Sequence, residues 1–68
     1  MAITHVTFDE RDSHKKYMVP FNSIAFIKTL KYNKGFWIHL ITRHSLVTDK
    51  IEIFSGNRLV TILEDKED

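Results

Sequence analysis

Apolar and polar residues alternate along most of this chain in short runs, a spacing that predicts strands rather than helices. In residues 3–8, Thr4, Val6 and Phe8 share one face of a first strand. Residues 9–15 are charged and polar and read as a hairpin loop. A second strand follows at 17–21, where Pro20 has no N–H for a ladder and marks an edge or a strand end. Residues 24–30, IAFIKTL, form a third strand rich in apolar and β-branched residues. Tyr32-Asn33-Lys34-Gly35 is a turn, because Asn and Gly accept the positive φ of a tight reversal. The fourth strand, 36–43, directs Phe36, Ile38 and Leu40 to one side and Trp37, His39, Ile41 and Arg43 to the other. The first set suits a core and the second a contact surface.

Residues 46–54 contain a fifth strand, best placed at 50–54. The last segment has two readings. Ser55 could cap a helix to about residue 64, with Leu59, Val60, Ile62 and Leu63 as its apolar stripe. Alternatively, Ser55-Gly56-Asn57 turns into a sixth strand over 58–63, which the β-branched run Val60-Thr61-Ile62 favours. The helix is the preferred reading. The expected fold is therefore mostly β (α+β): a small antiparallel meander of about five strands with a short C-terminal helix. The alternative is an all-β, barrel-like arrangement of six strands.

This order resembles the small domains of the LytTR DNA-binding type and the FlbD-like flagellar regulators. The resemblance is carried by the apolar spacing of Ile24-Ala25-Phe26-Ile27, Trp37-Ile38-His39-Leu40, Ile51-Glu52-Ile53, and Ser55 with Leu59-Val60 and Leu63, across roughly residues 17–63. It implies a nucleic-acid-binding or regulatory module.

Length changes the picture next. The 68 residues fit one domain, ending in an acidic tail at 64–68. A domain of this size buries only about 60% of its unfolded surface. Cysteine is absent, which excludes disulfides and thiolate metal sites as sources of extra stability. A homo-oligomer is therefore the expectation. No apolar run approaches the ~20 residues that cross a bilayer, and the N-terminus has no secretion signal. The expected location is cytoplasmic, with no membrane partner.

The net charge of +1 hides a segregated distribution. Residues 1–14 carry −2, residues 15–50 carry +6 and residues 51–68 carry −3. Within the basic stretch, Lys28, Lys31, Tyr32, Lys34, Trp37, His39 and Arg43 fall on one predicted hairpin. Lysine and arginine hold phosphates by charge, and bases stack on aromatic faces. These seven residues are the candidate ligand-binding set. The ligand expected is phosphate-bearing: nucleic acid, or a nucleotide sequestered between subunits, as in small sequestering proteins of phages and mobile elements. The alternative is a protein-interaction module or inhibitor that covers a partner protein's surface, with Trp37 as an interface anchor.

Catalysis is not expected. The carboxylates lie at the two ends, and Ser45 and His44 are adjacent, so on a strand they face opposite ways. The histidines His5, His14, His39 and His44 have no metal-ligand spacing, so neither metal nor cofactor is called for. His39 is expected to donate a hydrogen bond to a ligand or partner.

Overall fold

The computed structural model describes residues 2–32 and 34–64. The chain forms β1 (His5–Asp9), β2 (Lys16–Pro20), a 3-10 turn (Phe21–Ser23), β3 (Ile24–Thr29), β4 (Phe36–Leu40), β5 (Ser45–Thr48), β6 (Lys50–Ser55) and β7 (Arg58–Glu64). All pairings are antiparallel. One sheet has the order β2-β1-β6-β7 and the other β3-β4-β5. The expected mostly-β antiparallel class is the one observed, as two open sheets rather than a closed barrel.

Two elements differ from expectation. Residues 46–54 are two strands, because the chain leaves one sheet and enters the other at Asp49. Thr48 holds this corner: its buried hydroxyl donates to Lys50 O at 3.0 Å and accepts from Lys50 N–H at 3.3 Å. The C-terminal segment is a strand, not a helix. β7 pairs with β6 from Lys50–Glu64 to Ser55–Arg58, and Gly56 (φ 62°) supplies the positive φ of the two-residue hairpin loop. Ser55 therefore ends β6 and caps nothing. Val60 is an extra residue between the Ile53–Thr61 and Phe54–Leu59 pairs. This bulge breaks the period of two and gives the segment the mixed spacing that also fits a helix. Of the acidic tail, Glu64 closes β7, and residues 65–68 lie outside the described residues.

The core lies between the sheets. Val6, Phe8, Val19 and Ile51 come from the four-stranded sheet, and Phe36 and Ile38 from the three-stranded one. Tyr17, Ile24, Ile27, Leu40, Leu46, Ile53 and Leu63 pack around them. The predicted alternation of β4 is what forms: Phe36 and Ile38 are buried, and the residues between them face away from the core.

Arg11, in the β1–β2 loop, ties the sheets together at one end. Its guanidinium pairs with Asp49 at the inter-sheet corner and donates to Lys34 O at 2.6 Å in the β3–β4 turn. Its backbone N–H donates to Val47 O at 2.8 Å. Arg11→Ala should lower stability by about 1–2 kcal/mol, since hydrogen bonds to charged groups are stronger than neutral ones but this pair is partly solvated. Thermal unfolding followed by circular dichroism should show a loss of roughly 5–15 °C. An unchanged melting temperature would mean that the sheets are held by the apolar core alone.

Candidate stacking surface on the three-stranded sheet

The register of the three-stranded sheet decides which side chains meet on its outer face. Phe26 pairs with His39 and Lys28 with Trp37 across β3 and β4. On the other side, Ser45 pairs with His39 and Val47 with Trp37. The β3–β4 residues form a block of two by two in which Phe26 and Trp37 stand on one diagonal and Lys28 and His39 on the other. His39 lies 4.3 Å from the Phe26 ring, nearly parallel to it, and 4.6 Å from the Trp37 ring. Lys28 Nζ sits 5.7 Å from the Phe26 centroid and 5.4 Å from that of Trp37. Each aromatic ring thus touches both the imidazole and the ammonium group, within the range of cation–π attraction for Lys28. Lys28 is exposed and Phe26 is 49% exposed, so the block is open to solvent along its β3 side.

The two ring nitrogens of His39 have different surroundings. Its Nδ1 faces Ser45 Oγ at 3.2 Å, and its Nε2 is covered and has no hydrogen-bond partner among the described residues. The imidazole offers a ring face to its neighbours, with Nε2 covered and Nδ1 in an exposed contact to Ser45.

The remaining candidates divide between the two ends of β4. Lys31, Tyr32 and Lys34 lie in the β3–β4 turn, with Lys31 Nζ 5.5 Å from the Tyr32 ring and Tyr32 86% exposed. Lys34 (φ 56°) is part of the turn's architecture through its carbonyl, which accepts from Arg11. Arg43 is at the other end. The strand stops at Leu40, and Arg43 (φ 71°) sits in the β4–β5 turn, with its N–H donating to Leu40 O at 3.0 Å. The expected common face for Trp37, His39, Ile41 and Arg43 is thus corrected. Strand β4, five residues and about 14 Å long, lies between the two basic ends. The structure brings together Lys28, Trp37 and His39 and places the other four beyond them on either side.

Phe26 and Ser45 belong to this surface and were not among the candidates. Phe26 carried a signal: it stands two residues before Lys28, so any register that sets Lys28 beside Trp37 also sets Phe26 beside His39. Ser45 had none, because its position depends on where the β4–β5 turn falls.

Two clefts border the sheets. A shallow, largely apolar groove of about 450 Å³ runs along β3, lined by Phe21, Asn22, Ile24, Ala25, Phe26 and Ile27, and adjoins the block through Phe26. The second, of about 280 Å³, holds none of the candidate residues. It is lined by acidic and basic groups alike, including Asp9, Asp49 and Glu52 beside His14, Lys16 and Lys50, which gives an anion no net attraction. Among the described residues, no group of three His, Asp or Glu side chains could hold a metal ion. No helix among them is long and apolar enough to cross a membrane.

In comparisons with known proteins, no family model, no curated protein and no solved structure matches this chain.

Proposed function

We propose that the outer face of the three-stranded sheet binds a single strand of nucleic acid, without catalysis. The observation that carries this reading is the alternating block of Phe26, Lys28, Trp37 and His39. A solvent-facing sheet surface that sets aromatic rings beside a lysine ammonium is the chemistry that stacks unpaired bases and attracts their phosphates. The flanking cations suit the same ligand. A strand laid along β4 would meet Lys31 and Lys34 at one end and Arg43 at the other, with the block between. The block is open to solvent along β3, which favours a strand laid over it rather than a single enclosed nucleotide.

Trp37 is the one tryptophan, so intrinsic fluorescence reports directly on this face. The full chain should be titrated with short oligothymidine and oligoadenine at about 50 mM and about 200 mM salt, a range over which phosphate contacts weaken steeply. Saturable quenching that weakens with salt is the expected result. No quenching by any oligonucleotide at low salt would overturn the reading. Equal quenching by mononucleotides, with fixed stoichiometry per oligomer, would replace it with nucleotide sequestration.

A further inference from the structure

Four strand edges are exposed among the described residues, and three of them carry a lysine, a proline or a short length that discourages pairing with another chain. β2 begins with Lys16 and ends with Pro20, which has no N–H to donate. β3 carries Lys28 and a bulge at Ala25. β5 has only four residues, and the Arg11 N–H already takes its Val47 carbonyl. β7 is different. It is the longest strand, seven residues, with no proline and no lysine. Its inner five positions, Leu59, Val60, Thr61, Ile62 and Leu63, are uncharged, and Leu59, Val60 and Ile62 are each about two-fifths exposed. Among the described residues no strand pairs with its outer side.

The charges of β7 lie only at its ends, Arg58 at the start and Glu64 at the finish. That placement selects a partner. In a two-fold antiparallel pairing centred on Thr61, Arg58 of each copy meets Glu64 of the other. Leu59 then meets Leu63, and the bulged Val60 lies beside Ile62. Parallel self-pairing would set Arg58 beside Arg58 and Glu64 beside Glu64. Opposite charges across a strand pair are favourable and like charges unfavourable.

We propose that β7 is a self-association edge, and that two copies of this chain join through antiparallel β7 strands about a two-fold axis at Thr61. The result is one continuous sheet of eight strands, four from each copy. The interface is isologous: the same strand serves on both sides, and both charge pairs form at once. It leaves the three-stranded sheet's outer face uncovered by the pairing itself, and it does not depend on what that face binds.

The test uses charge reversal in the full chain, with mass followed by light scattering from low micromolar to sub-millimolar concentration. The wild-type mass should rise from one copy to two over this range. Arg58→Glu alone and Glu64→Arg alone should each weaken the dimer by roughly tenfold or more, because both cross-pairs become repulsive. Mixing the two variants should restore association, since each Arg58→Glu chain then faces a Glu64→Arg chain with both pairs attractive. Circular dichroism should show both variants folded. Should either reversal unfold the chain, Thr61→Lys, which sets two like charges across the axis, replaces it and should also weaken the dimer. A wild-type mass of one copy throughout would overturn the proposal. So would variants that associate like wild type, or a mixture that associates no better than its components.

Discussion

Gly35→Ala is expected to destabilise the fold by about 3 kcal/mol, combining a backbone penalty with overpacking. In a domain of this size that lowers the melting temperature by roughly 12–24 °C. Gly35 has φ 97°, a conformation that L-residues rarely adopt. A Cβ at this position would also fall 2.6 Å from Thr48 O and collide with the Arg11 guanidinium. Thr48 O is backbone at the corner between the sheets and cannot yield without moving that corner. Arg11 could swing away only by giving up its bonds to Asp49 and to Lys34 O. Gly56→Ala is the control. Gly56 also has positive φ, 62°, but nothing lies within 4 Å of the site of its Cβ. It should cost only the left-handed backbone penalty of about 1 kcal/mol. Thermal denaturation of both variants separates the two terms. Equal losses would show that close packing of Arg11 and Thr48 on Gly35 contributes nothing to stability.

This contrast also explains where the sequence was legible. Strand β4 was readable because five alternating residues state both the element and its buried face. The Phe36–Ile38 side is apolar, and the Trp37–His39 side carries the polar and aromatic groups. The loops around it were less so. Reversals marked by Gly or Asn, at 32–35 and at 55–57, were recognised or weighed. The turn after Leu40 is made by Ile41, Thr42 and Arg43, with Arg43 in the left-handed region. Nothing in residue type announces it, so alternation overran it and carried Arg43 onto the wrong surface. The corner at Asp49 was missed for a related reason. It is held by the Thr48 side chain and by an ion pair to Arg11, 38 residues away in sequence. A contact of that range has no local signature. At β7, a bulge disguised the period of two.

The candidate site follows the same logic. Lysine clustering along the chain counted Lys28, Lys31, Lys34 and Arg43 as one group. The sheet register separates Lys28, which sits beside Phe26 and Trp37 on the sheet face, from three cations that lie in turns. Linear charge density is thus a poor guide to which cation acts with which ring. Cross-strand pairing decides it, and pairing is set by turns that the sequence marks unevenly.

The separation yields the second large effect. If a base stacks on this face, Trp37→Ala should weaken oligonucleotide binding by roughly 5- to 150-fold, the range corresponding to about 1–3 kcal/mol per stacked base. Its dependence on salt should stay nearly the same, because no phosphate contact is removed. Lys28→Ala should behave in the opposite way, with a smaller loss at low salt and a salt slope reduced by about one. Lys31→Ala and Arg43→Ala should each lower the slope without altering which bases are preferred, since their turns lie beyond the rings. Trp37 is half-buried on the outer face and does not belong to the buried core, so the variant should stay folded by circular dichroism. Binding of the tryptophan-free variant is followed by anisotropy of a labelled oligonucleotide. A uniform loss across all four substitutions, with slopes shifting alike, would indicate bulk charge attraction alone. In that case the aromatic block serves the sheet's own packing, with His39 held between Phe26 and Trp37, and the ligand never touches it.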